Sequence, residues 1–109
     1  MSPITTHVLD TSAGRPATGI RVVLEFFSSP TKSWATLGTG ATDADGRANT
    51  LLPDDHKLLP GVYRLRFETS AVSPFYPEVP ILFRITDAAQ HYHVPLLLSP
   101  YGYSTYRGS

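Results

Sequence analysis

Apolar and polar residues alternate over short stretches of this chain, and proline or glycine interrupts every longer run. Strict alternation is the mark of a strand with one buried face, and no helical period survives between the breaks. Residues 4–10 read as a first strand, with Thr6, Val8 and Asp10 on one face and His7 and Leu9 on the other. Ser12-Ala13-Gly14-Arg15-Pro16 turns the chain, and residues 20–27 form a second strand rich in β-branched and aromatic residues. After a loop at residues 28–32, residues 34–40 return as a third strand. Asp43-Ala44-Asp45-Gly46-Arg47 is a turn with glycine where positive φ is needed, and residues 53–60 are an irregular connection. Residues 61–69 place Tyr63, Leu65 and Phe67 on one face and Arg64, Arg66 and Glu68 on the other. Further strands follow at 79–85, 91–98 and 103–107.

This spacing predicts an all-β fold: a sandwich or barrel of seven or eight strands with Greek-key-sized spacings and at most a short helix, one domain spanning residues 1–109. In residues 91–98 the clean apolar face is Tyr92, Val94, Leu96 and Leu98, which therefore points to the core. His91, His93, Pro95 and Leu97 then point outward, and an outward face of this kind is an interface or a pocket wall. The last strand alternates Ser104 and Tyr106 with Thr105 and Arg107, and the short tail after it is expected to be tied down by contacts, its carboxylate near arginine.

Composition narrows the chemistry. Nine Lys plus Arg balance nine Asp plus Glu, without a basic stretch, which argues against nucleic acid. Charged residues are only 17% of the chain; spare surface for a second subunit and a polar Ser/Thr/Gly surface account for this equally well. The absence of cysteine removes disulfides, thiolate metal sites and a cysteine nucleophile. Met1-Ser2-Pro3-Ile4-Thr5-Thr6 has no basic-then-apolar leader pattern, no window approaches the roughly 18 apolar residues of a membrane span, and the terminus is no peroxisomal signal. A soluble cytoplasmic protein without membrane association is the expectation.

Several side chains carry alternatives. Taken alone, a strand histidine such as His7 is more often structural or exposed, Arg47 after a turn more often solvated, and Tyr106 more often packing, than part of a catalytic site. His91 and His93, two apart on one face with His7 as a third candidate, have the residue types of a zinc site but only one such pair. His56 sits in a charged loop and is expected to be exposed. The run from Asp43 opens like a calcium loop but lacks flanking helices. No glycine-rich phosphate loop and no serine nucleophile elbow occur.

Four segments together resemble one family. They are Ile4-Thr5-Thr6-His7-Val8-Leu9-Asp10 with Gly14-Arg15-Pro16-Ala17, then Thr42-Asp43-Ala44-Asp45-Gly46-Arg47, then Phe75-Tyr76-Pro77-Glu78-Val79. The fourth runs from His91-Tyr92-His93-Val94-Pro95-Leu96-Leu97-Leu98-Ser99-Pro100 into Tyr103-Ser104-Thr105-Tyr106-Arg107-Gly108-Ser109. The chain is similar over nearly its whole length to the 5-hydroxyisourate hydrolases, relatives of the hormone carrier transthyretin, and its closing Tyr-Arg-Gly-Ser matches the hydrolases. The resemblance implies a transthyretin-like sandwich assembled as a homotetramer, a dimer of dimers with active sites at the dimer–dimer interface. It implies His7, Arg47 and His93 as catalytic residues, His7, Arg47, Tyr106 and Ser109 as substrate contacts, and no metal or cofactor. The implied reaction opens the N1–C6 amide of a purine-derived ring in urate degradation. Water attacks, one histidine takes its proton, Arg47 steadies the oxyanion, and Ser109 orients a histidine. A carrier of transthyretin type is the main alternative, predicting a wide apolar channel; a structural assembly domain would leave these side chains scattered. In the family a short helix follows the fifth strand, and here Ser70-Ala71-Val72-Ser73-Pro74 is too short for much of one.

Overall fold

A computed structural model describes residues 2–109; Met1, the first residue of the segment read for a leader pattern, lies outside the described residues. Among the described residues nine strands follow in order: β1 (Ile4–Asp10), β2 (Arg15–Pro16), β3 (Arg21–Ser28), β4 (Ser33–Ala41), β5 (Arg47–Ala48), β6 (Gly61–Glu68), β7 (Glu78–Ile85), β8 (Tyr92–Ser99) and β9 (Gly102–Thr105). The count exceeds the expected seven or eight because β2 and β5, two residues each, are short pieces that pair with β1. No helix occurs among the described residues, and so none there is long and apolar enough to cross a membrane.

One sheet has the order β4-β3-β6-β7. The other runs β2-β1-β8-β9, with β5 also paired to β1. Ile4, Thr6 and Val8 from one sheet meet Val22, Leu24, Tyr63, Leu65 and Phe67 from the other, all essentially without exposed surface. Each strand contributes alternate residues to this layer, the arrangement of a sandwich. β1 and β8 are parallel, with Thr5 opposite His93 and His7 opposite Pro95. Greek-key topology supplies that pairing, because the chain crosses to the β4-β3-β6-β7 sheet and back between the two strands.

The short connection after β6 closes without a helix. Val72 and Ser73 donate backbone N–H groups to the Thr69 carbonyl at 3.0 and 2.9 Å. The Ser73 hydroxyl accepts from the Phe75 and Tyr76 amides and donates to the Pro100 carbonyl at 2.7 Å. Two buried hydroxyl residues thus satisfy the backbone that a helix would otherwise organise.

On the outer face of the β4-β3-β6-β7 sheet, Glu25 is 6% exposed. Its Oε1 accepts from Arg64 Nε at 2.7 Å and Arg66 Nε at 2.9 Å, and the Arg64 guanidinium lies 4.1 Å from the centre of the Trp34 ring. The Arg64 hydrogen bond above all, aided by Arg66, holds the Glu25 carboxyl below its usual range against the opposing effect of burial. A depressed folded-state pKa contributes stability above the unfolded value, and this is lost as pH falls through the folded one. Glu25→Gln is therefore expected to cost about 2 kcal/mol near neutral pH, with the gap to wild type narrowing on acidification. Urea unfolding across pH checks this, and equal stability at neutral pH would contradict it.

Candidate active site

The turn between β4 and β5 is built by Asp43. Its Oδ1 accepts from the Asp45 and Arg47 amides at 2.9 and 3.0 Å, and its own amide donates to the Arg47 carbonyl. The Asp43 carboxylate is thus spent on backbone closure. Gly46 has φ 76°, and its carbonyl accepts from Val8 N–H at 2.7 Å. A Cβ on Gly46 would stand 2.5 Å from the Val8 carbonyl oxygen and 3.3 Å from His7 Cδ2. Only glycine lets the turn lie this flat on β1. Its reward is register: β5 pairs with β1 so that Arg47 stands directly opposite His7.

His7 is half-buried, and its Nε2 lies 2.8 Å from the Asp45 carbonyl oxygen. A carbonyl only accepts, so His7 carries its proton on Nε2 and leaves Nδ1 bare when neutral.

The tail delivers the remaining groups. β9 pairs antiparallel with β8, Leu96 opposite Thr105, and the same register brings His93 opposite Gly108. Between them the ladder breaks at Pro95, which has no N–H to offer. Gly108 N–H donates to the His93 carbonyl at 2.8 Å. A Cβ on Gly108 would fall 2.6 Å from His93 Cδ2, so the tail backbone lies against the imidazole. The Arg107 guanidinium donates to Gln90 Oε1 at 2.7 Å and sits 4.3 Å from the centre of the Tyr92 ring. The tail is tied down as its brevity implied. It also covers Pro95, which is buried although it lies on the outward face of β8.

The result is a cavity of about 320 Å³ lined by Thr5, Arg47, Asn49, His91, His93 and Ser109. Three of the five expected residues, Arg47, His93 and Ser109, share it, and His7 is the cross-strand neighbour of Arg47. Tyr106 is elsewhere. It is 58% exposed and lines another cavity, with Ile81, Phe83 and Tyr92. Thr5, Asn49 and His91 enter the lining in addition. The rings of His91 and His93 are both engaged by Thr5 Oγ1, at 3.1 and 2.8 Å, and no three His, Cys, Asp or Glu side chains converge as a metal site among the described residues. His56, expected in solvent, is half-buried.

Burial holds the His93 imidazole below its ordinary pKa. The positive charge of Arg47 and the neighbouring His7 and His91 push it the same way, against a smaller upward pull from a hydrogen bond to the Thr5 backbone. Near neutral pH His93 is therefore an uncharged base beside a permanent cation. A base, a cation and room for a small ring can activate water and stabilise the anion formed when it attacks a carbonyl.

Residues 4–108 match the family described as "Transthyretin: HIUase/Transthyretin family". The chain is 48% identical, over 98% of its length, to the Arabidopsis thaliana "Uric acid degradation bifunctional protein TTL", of which it spans 37%. It is 46% identical to the Mus musculus "5-hydroxyisourate hydrolase", covering 99% of this chain and 96% of that protein. The solved structure of Klebsiella pneumoniae 5-hydroxyisourate hydrolase superposes with a TM-score of 0.82 at 36% identity, covering the whole of both chains.

Proposed function

Because this chain belongs to the HIUase/Transthyretin family, we propose that the cavity between β1, β5, β8 and the C-terminal tail hydrolyses 5-hydroxyisourate. The observation that carries this reading is the meeting of Arg47, His93 and Ser109 in one cavity whose lining residues are all polar or charged. A carrier would need a wide apolar channel at the same place.

In the proposed reaction, water attacks the C6 carbonyl carbon of the ring. His93 Nε2 takes the water proton as the new C–O bond forms, and the oxyanion is stabilised by the Arg47 guanidinium, whose planar fork suits two acceptors. Collapse of the intermediate breaks the N1–C6 bond. The proton held by His93 goes to N1, and the product is the ring-opened 2-oxo-4-hydroxy-4-carboxy-5-ureidoimidazoline. No metal or cofactor is needed for this balance. His7 supports Arg47 across the β1–β5 pair, and both residues bind the substrate's polar edge. Ser109, through its hydroxyl, contacts the substrate beside His93. Tyr106 enters as a substrate contact that one chain alone does not supply, because it lines a different cavity of its own chain.

The reading includes a homotetramer, a dimer of dimers with the cavity at the dimer–dimer interface. It is supported by the half-buried Leu9 and Leu97 on the same outward sheet face and by the exposure of Leu82 and Tyr106. A single domain over residues 1–109 and a cytoplasmic location belong to the same proposal. Hydrolysis in 18O-labelled water tests the chemistry: enzyme-formed product carries one label, in the new carboxylate, and label elsewhere would refute attack at C6.

Gly108 gives a local check. Gly108→Ala forces a methyl group against the His93 ring and is expected to slow turnover by about tenfold or more without unfolding the sandwich. Steady-state rates beside a thermal melt measure this; an unchanged rate would show that the ring position is not set by the tail.

A further inference from the structure

Thr5 lies on the same face of β1 as His7, yet it is only 2% exposed, with its hydroxyl against His93 of β8 and against His91 just before that strand. Its Oγ1 is 2.8 Å from His93 Nδ1 and 3.1 Å from His91 Nε2. A hydroxyl has one proton to donate and can accept as well. When its proton goes to one ring, a lone pair accepts from the other, and the choice decides which nitrogen of His93 faces the cavity bare. If the hydroxyl donates to His93 Nδ1, neutral His93 keeps its proton on Nε2 and cannot act there as a base. If it accepts from Nδ1–H, Nε2 is a free lone pair.

Two features select the second arrangement. Arg47 shares the cavity with His93, and a guanidinium favours a lone pair over an N–H pointing into the same space. His91 is exposed, so its Nδ1 can carry the proton and be solvated while Nε2 accepts from the hydroxyl. Both ring roles are then satisfied, consistent with the absence of any buried polar side-chain atom without a partner among the described residues.

We infer that Thr5 is a positioning residue whose hydroxyl accepts from His93 Nδ1–H and donates to His91 Nε2, holding His93 Nε2 unprotonated toward the cavity. The link to rate rests on the proposed hydrolysis; the link to the tautomer does not. The same logic governs a carboxylate behind a catalytic histidine, where a wrong tautomer costs about 10⁴-fold. A neutral hydroxyl is a weaker director, and the expected loss in Thr5→Val is about tenfold or more in kcat.

The deciding experiment is a nitrogen–proton correlation spectrum of the protein labelled with 15N-histidine, taken near pH 8, with His93 assigned by its loss in His93→Gln. The expected result is a protonated Nδ1 and a bare Nε2 in wild type, a shift toward protonated Nε2 in Thr5→Val, and restoration of spectrum and rate in Thr5→Ser. A wild-type His93 protonated on Nε2 would overturn the inference whatever the variants do. So would Thr5→Val with the wild-type tautomer and rate. If wild type shows the expected tautomer but does not hydrolyse 5-hydroxyisourate, the proposed function fails and the role of Thr5 in setting the ring stands.

Discussion

Replacing His93 with glutamine is expected to slow hydrolysis of 5-hydroxyisourate by about a hundredfold or more. The side chain is half-buried on the outward face of β8, while Tyr92, Val94, Leu96 and Leu98 hold the strand in the core. The fold should therefore survive the change. Glutamine can still receive a hydrogen bond, but it has no nitrogen that accepts a proton near neutral pH. What is lost is the proton acceptor for the attacking water. His7 offers only Nδ1 in exchange, since its Nε2 is committed to the Asp45 carbonyl, and Arg47 lies opposite it. Initial rates corrected for spontaneous decay, read beside a circular dichroism melt, measure the effect. A folded variant turning over at the wild-type rate would remove His93 from the reaction.

Arg47→Gln is expected to act in two separable ways. First, kcat falls by about 10²- to 10³-fold, the loss typical of removing a donor to a developing oxyanion. Second, the acid limb of the rate profile moves to higher pH. Active His93 is the neutral form, so the limb marks protonation of its ring. In wild type that protonation occurs below the ordinary histidine value, chiefly through burial and next through the charge of Arg47. Removing the cation lets the value rise, but burial remains, so the return is partial. Rates across pH for both proteins test this. A limb that stays in place or moves lower would mean that Arg47 does not act on the base.

Much of this arrangement was legible from side-chain alternation. Tyr92, Val94, Leu96 and Leu98 are the buried face of β8, and His93 and Leu97 are outward, because a strand's period leaves no other option once one face is apolar. The Asp43–Arg47 turn was equally readable, since Asp at its start and Gly at position 46 answer to specific backbone needs. Thr5 was not. Its neighbours are 86 and 88 residues away, and they meet it only because β1 and β8 pair in parallel in a register that no local pattern encodes. Tyr106 shows the opposite limit. Extending the β8–β9 register puts it opposite Pro95, on the face of His93, but the missing N–H of Pro95 breaks the ladder there. The chain resumes pairing only at Gly108, and Tyr106 lines the other cavity instead. Pro95 is more buried than its local sequence implied because the tail covers it, and the half-buried His56 lines a cavity with Ser2, Pro3 and Ala88.

The most direct measurement is the decay of freshly generated 5-hydroxyisourate, followed by ultraviolet absorbance with a chelator present, for wild type and for Arg47→Ala. Decay well above the spontaneous rate with wild type, insensitive to chelator and lost in the variant, is the result this account predicts. Decay at the spontaneous rate with folded wild-type protein would contradict it and make a small-molecule carrier the better reading of the same sandwich.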